Sequence, residues 1–143
     1  MAFFPASHSE AGAWLNYFVQ SQDGLDATKT TQVYAMDTTL RFASYPATQG
    51  ANVIAELVTL RFAKLDVIRH VPKYFDLVGS RLWAVFDITY RVKGDPAVED
   101  FSVPCACMFS IVKEGAEKGK IKELGIYMDQ TMVEKRMEEV SRE

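Results

Sequence analysis

RHVPKYFDLVGSRLWAVFDITY, residues 69–90, reads as two long strands folded back on each other at Gly79-Ser80. A two-residue glycine-containing turn between alternating runs is a hairpin signal. Side chains of a strand alternate between its faces. Phe86, Ile88 and Tyr90 therefore share one side of the second arm, and Trp83 and Val85 the other. The first arm is ambiguous: His70, Pro72 and Tyr74 share one face, while Val71, Phe75 and Leu77 share the other, which looks more like core.

Two further segments extend this hairpin. DFSVPCACMFSIV (100–112) and KIKELGIYM (120–128) flank the polar loop KEGAEKG. Cys105, Cys107, Phe109 and Ile111 share a face, as do Leu124, Ile126 and Met128. The four segments predict a long antiparallel meander whose apolar side faces helices. Upstream, Ser7 and Glu10 match a capping box before the helical spacing of Ala11, Trp14, Leu15, Phe18 and Val19, and SQDG stops that helix. Asp26 would cap a second helix running to about Ala35. A short strand over 38–43 follows, and after Gly50 a helix with Ile54, Leu57, Val58, Phe62 and Leu65 on one face. Arg61 falls within that stripe and reads as a snorkelling side chain. QTMVEKRMEEV (130–140) closes the chain as an amphipathic helix carrying Val133, Met137 and Val140 on one side.

Composition fits one domain over 1–143, with 48% hydrophobic and 24% charged residues and a net charge of −3. Nothing in that balance argues for nucleic acid or an anionic membrane. No apolar run approaches the roughly 20 residues of a membrane span. The opening MAFFP lacks the length and charge pattern of a secretory signal, so a cytoplasmic setting is expected. Cys105 and Cys107 are spaced badly for a disulfide or a zinc motif and read as small hydrophobes. No phosphate loop, nucleotide fingerprint or metal-ligand cluster is present, and no cofactor is expected.

The order helix, helix, strand, helix, four strands requires three helices on one face of a curved sheet, an α+β architecture. It resembles the cone-shaped, cystatin-like or nuclear-transport-factor-2-like fold, and more narrowly the SnoaL-like cyclases and scytalone-dehydratase-type enzymes. VYAMDTTLRFASYPATQGANVI, RHVPKYFDLVGSRLWAVFDITY and GKIKELGIYMDQT carry the likeness, which covers nearly the whole chain. The resemblance implies a deep cavity inside the cone. Ketosteroid-isomerase-type members carry a catalytic carboxylate nine residues before the turn glycine, and counting back from Gly50 that place is Arg41. A cation there suggests stabilisation of a carbonyl or an oxyanion. Some fungal alkaloid-tailoring isomerases of this fold carry an arginine on this strand, which favours an isomerase over a dehydratase.

The expected machinery is therefore Arg41, His70, Tyr90 and Asp129, in a pocket lined by Tyr45, Phe86, Cys105, Cys107, Phe109, Leu124, Ile126 and Met128. Small Thr39 and Ala43 flank Arg41 on its face, leaving room for it to point inward. His70 falls where scytalone-dehydratase-like chains place a cavity histidine, and imidazole can shuttle a proton near neutral pH. Their second cavity histidine would fall near Tyr90 and is absent. Tyr90 is either a core tyrosine or a phenol in the cavity wall. Asp129 either caps the last helix or reaches the cavity mouth. Asp37 reads as a solvated turn residue, and Asp23 matches an acidic site of such dehydratases approximately.

Two function classes fit. One is a cofactor-independent isomerase or cyclase of secondary metabolism acting on a hydrophobic oxygenated small molecule, with a dehydratase as its alternative. The other is a ligand-binding or dimerisation module without chemistry. A buried Arg41 lacking a carboxylate partner would favour the enzyme, and one that is exposed or salt-bridged to Asp37 the module. Trp83, Val85 and Tyr127 are large for a solvated sheet face, so a homodimer is expected through it.

Overall fold

A computed structural model describes residues 2–142. Its elements run α1 (His8–Asp23), α2 (Ala27–Thr31), β1 (Tyr34–Phe42), β2 (Thr48–Gln49), α3 (Ala51–Phe62), β3 (Leu65–Val78), β4 (Arg81–Val92), β5 (Phe101–Ile111), β6 (Ile121–Tyr127) and α4 (Thr131–Ser141). The strands form one sheet in the order β2-β1-β6-β5-β4-β3. β3 to β6 make the expected antiparallel meander. β1 adds to β6 in parallel, so the sheet carries one parallel pair beside its antiparallel ones.

The hairpin behaves as its sequence predicts. Val78 pairs with Arg81 across Gly79-Ser80, and Gly79 takes the left-handed φ of 62° that such a turn needs. The first arm was ambiguous for a physical reason. The β3–β4 register shifts between Pro72 and Tyr74, next to a proline that cannot donate to the ladder. His70 pairs with inward Ile88 before that shift, while Phe75 and Leu77 pair with inward Ala84 and Leu82 after it. Residues of opposite parity thus face the same side.

Register across the sheet sets the two faces. One inward row runs Leu82, Phe109, Leu124 and Leu40; the next runs Ala84, Cys107, Ile126 and Phe42. Between them lies the outward row Trp83, Met108, Gly125 and Arg41. α1 lies on the inward face and buries Ala11, Trp14, Leu15 and Phe18. Its start follows the capping logic, with Ser7 accepting from the Glu10 amide at 3.1 Å. Trp14 and Phe18 meet Phe109 edge-on at 5.1 and 4.8 Å between centroids, and Trp14 Nε1 donates to the Gly119 carbonyl at 2.9 Å. This aromatic cluster is the closed end of the cone.

Three boundaries differ from expectation. α2 stops at Thr31 rather than near Ala35, because Tyr34 and Ala35 are buried as the start of β1. β1 therefore begins four residues before Thr38. α3 ends at Phe62, and Leu65 opens β3. α4 is held against the end of β4 by Arg136, whose Nε donates to Asp95 Oδ2 at 2.8 Å while Nη2 bonds Oδ1. Those bonds hold the Asp95 carboxyl below its usual range.

Candidate active site

The inward sheet face, the end of α1, one side of α3 and the start of α4 enclose a cavity of about 380 Å³. Most of its wall is apolar: Phe18, Ile68, Ile88, Leu124, Ile126 and Met128 among others. Polar groups gather at a few points, and the first is a histidine–carboxylate pair. His70, on β3 before the register shift, lines the cavity with its side chain 10% exposed. Its Nδ1 lies 2.7 Å from Asp23 Oδ1. The His70 backbone amide also donates to both Asp23 oxygens, at 3.1 and 3.2 Å. With an ionised carboxylate at that distance Nδ1 carries the proton, so in neutral imidazole Nε2 holds the lone pair. Nε2 has no hydrogen-bond partner among the described residues. The rings of Phe18 and Phe86 stand edge-on to the imidazole at 6.1 and 5.5 Å and fix its plane. Gln22, beside Asp23 on α1, also reaches the cavity wall.

The second polar point is Arg61 of α3. Its guanidinium sits over the ring of Phe42 at 5.7 Å and over that of Tyr90 at 5.8 Å. Nη2 donates to Gln130 Oε1 at 2.6 Å, and no carboxylate pairs with it among the described residues. Cation–π contact with two rings, each worth about 0.5–2 kcal/mol, offsets part of the desolvation of such a charge. The Tyr90 hydroxyl reaches Met128 Sδ at 3.9 Å. Burial raises the Tyr90 pKa, and the Arg61 charge pulls it partly back. Burial raises that of Tyr34, deeper in the wall, further still.

Cys105 and Cys107 both line the cavity, with their sulfurs 3.6 Å apart. At the mouth, the exposed Tyr45 of the β1–β2 connection donates its hydroxyl to Glu134 of α4, and that bond raises the phenol's pKa. Tyr45 and Glu134 thus strap the loop to the helix over the opening.

His70, Tyr90, Tyr45, Cys105, Cys107, Leu124, Ile126 and Met128 line the cavity as anticipated. Arg41 does not. It lies on the outward row, its side chain 56% exposed, and its Nε donates to Glu123 at 3.3 Å. Leu40 and Phe42 take the inward positions instead. Burying those two apolar side chains outweighs the room that Thr39 and Ala43 leave for a guanidinium. Asp129 is exposed, and its carboxylate accepts from the Thr131 amide at 2.9 Å at the start of α4. It stands one residue ahead of the N-cap Gln130 and does not line the cavity, and the bonds from Thr131 lower its pKa. Phe86 and Phe109 are fully buried in the core below the cavity and do not line it. Asp37 is exposed. Arg61 reads as a snorkelling residue in sequence, and a charge within an otherwise apolar helical stripe is the signal that it enters the cavity. Asp23 was noticed only through a resemblance, and Gln22 carried no signal at all.

No family model and no curated protein matches the chain in sequence. Solved structures match it in fold. One assigned as a SnoaL-like polyketide cyclase, from Shewanella denitrificans, superposes with a TM-score of 0.72 at 10% identity, covering 90% of this chain and 97% of that one. An LEH-like epoxide hydrolase from M. tuberculosis gives 0.70 at 11% identity over 92% and 91% of the two chains. A nuclear-transport-factor-2-like protein from Cytophaga hutchinsonii gives 0.62 at 10% identity over 86% and 93%. The chain therefore has the nuclear-transport-factor-2-like cone fold, shared with proteins named as cyclases and epoxide hydrolases. At such identities the likeness concerns the fold.

Proposed function

We propose that this protein is a cofactor-independent acid/base enzyme of the isomerase or cyclase type. Its substrate would be a hydrophobic, oxygenated small molecule of secondary metabolism. The observation that carries this reading is the Asp23–His70 pair at the cavity wall, with Nδ1 committed to the carboxylate at 2.7 Å and Nε2 without a partner among the described residues. Nε2 would take a proton from carbon or hydroxyl and return it elsewhere on the substrate. The imidazolium formed is stabilised by Asp23. Arg61 and the neutral Tyr90 phenol would bind the substrate's carbonyl oxygen and stabilise the negative charge that develops there. The aromatic and aliphatic wall would hold the carbon skeleton and exclude water.

Arg41, exposed and paired with Glu123 outside the cavity, is the arrangement expected of a binding module. Arg61, which lines the cavity and pairs with no carboxylate among the described residues, supports the reading as an enzyme. The test is solvent-deuterium incorporation, followed by NMR, into a bicyclic β,γ-unsaturated ketone together with formation of its conjugated isomer. The wild-type chain is expected to promote both, and His70→Gln and Arg61→Met each to lose them while keeping a cooperative melt. No incorporation by the wild type into any of a panel of such ketones, or equal rates in the variants, would sink the reading.

A further inference from the structure

We propose that the cavity contains a covalent capture site for α,β-unsaturated carbonyl compounds, in which Cys105 Sγ bonds the β-carbon of a ligand whose carbonyl oxygen lies against Arg61 and Tyr90. This rests on the proposed role of Arg61 and Tyr90 toward a carbonyl, but makes no use of the Asp23–His70 pair.

The site follows from strand geometry. Cys105 and Cys107 stand two apart on β5, so both buried thiols project from the same face and line the cavity floor. The β5–β6 register ends with Ala106 opposite Tyr127, and Met128, the next residue, lines the same cavity as Cys105. Met128 Sδ in turn receives the Tyr90 hydroxyl at 3.9 Å, and Arg61 lies over the Tyr90 ring. Cys105, Met128, Tyr90 and Arg61 therefore form one continuous patch of wall. A small enone can put its oxygen at the cationic end and its β-carbon at the sulfur.

The second thiol gives the pair its chemistry. With the sulfurs 3.6 Å apart, Cys107 can donate its S–H to Cys105. Cys107 lies in the row between Ala84 and Ile126, toward the buried Tyr34, where its proton is held and its pKa pushed up. Cys105, receiving the bond, is held below the ordinary thiol range. A sulfur that accepts a hydrogen bond in its thiolate form is the better nucleophile at neutral pH.

The step balances without an oxidant or a reductant. An electron pair on Cys105 Sγ forms the S–C bond, and the carbon–carbon π pair moves to the carbonyl oxygen as an enolate. Arg61 faces that charge. The proton released from the Cys105 thiol ends on the α-carbon, giving a neutral thioether ketone. Loss of the α-proton and expulsion of the thiolate reverse the sequence, so capture is reversible.

The experiment uses 2-cyclohexen-1-one on the full chain, read by intact mass and peptide mapping, with cyclohexanone as the control lacking the double bond. One adduct is expected, on Cys105, and none from cyclohexanone. Cys105→Ser should abolish it, and Cys107→Ser should slow it while leaving the site unchanged. Arg61→Met should slow enone addition about tenfold or more through loss of the oxyanion partner. The same variant should leave the reaction of Cys105 with methyl methanethiosulfonate, which has no carbonyl, at the wild-type rate. His70→Gln should retain the enone rate, so failure of the proton-transfer reading and failure of this one are separable. The proposal falls if the folded wild type gains no adduct, if the adduct sits on Cys107, or if Arg61→Met slows both reagents equally.

Discussion

Asp23→Asn is the most informative single change, because it removes a charge while nearly conserving shape. Asp23 receives three hydrogen bonds from one residue: His70 Nδ1 at 2.7 Å and the His70 amide on both oxygens. Asparagine keeps one acceptor oxygen and brings an NH2 group against a second donor. One bond to a charged acceptor is then lost, worth about 1.5–3 kcal/mol. The carboxylate side chain is 24% exposed, which favours the lower end of that range. A loss near 1.5 kcal/mol corresponds to a melting-temperature drop of about 3–6 °C in a chain of this size. The sharper readout is the imidazole itself. The chain has two histidines, so nitrogen-15 NMR of uniformly labelled protein shows two rings, and His8→Gln assigns them. Neutral His70 is expected as the Nδ1–H tautomer in the wild type and as a mixture with the Nε2–H tautomer in Asp23→Asn. Turnover of a responsive ketone should fall about a hundredfold or more, as expected when a general base is misoriented. An unchanged melting temperature together with an unchanged tautomer would mean that the contact does not organise the histidine. The proposed base would then lose its basis.

Arg41→Met should change stability by less than about 1 kcal/mol and leave activity intact, since exposed ion pairs contribute little; loss of activity would return Arg41 to the machinery. Gly119→Ala should destabilise by about 1–3 kcal/mol or more, measured by urea unfolding, because a residue with φ of 86° is forced into a left-handed conformation and a Cβ there would lie 2.4 Å from the Phe3 amide nitrogen. A second copy of the chain is expected on the outward sheet face, where Tyr74, Trp83 and Tyr127 are 67%, 46% and 52% exposed. Sedimentation at micromolar concentration should then give a dimer and Trp83→Glu a monomer, and a monomeric wild type would refute this. Burial raises the pKa values of Tyr34 and Tyr90 above the ordinary 10.0. The neutral phenols favour folding, so their stabilisation is full below pH 10 and is lost as pH rises through the folded-state values. Ultraviolet titration should show late-ionising phenols, with one lost in Tyr34→Phe.

The parts legible in the sequence are those governed by short periods. Alternation over Ile88 and Tyr90, and over Cys105 and Cys107, marks the cavity wall because each strand has one apolar side and the register is continuous across β4, β5 and β6. The β3 arm defeated the same reasoning because a register shift at Pro72–Tyr74 reverses parity midway. Arg41 was misplaced because steric room was weighed above hydrophobic burial. Leu40 and Phe42, each half-buried at the cavity, remove apolar surface from water there, and a guanidinium in their place would have to be desolvated. A cavity cation was expected, and one is present, but it comes from a helix, where the long side chain of Arg61 reaches over two rings.

The Asp23–His70 contact joins residues 47 positions apart and has no signature in spacing. One local feature does point to it. Asp23 is the last residue of α1, and the carboxyl end of a helix carries partial negative charge, so an anion there is disfavoured by about 0.3–1 kcal/mol. A residue chosen for helix stability at that place would be basic, and the last turn of α1 contains none. Donors arriving from β3, the His70 amide and imidazole, compensate the misplaced charge. Asp23→Lys would satisfy the dipole and remove the acceptor, putting a cation against the imidazole. If Asp23 served the helix, this variant would melt higher and keep the His70 tautomer. On the proposed reading it melts lower, and the Nδ1–H preference is lost with it.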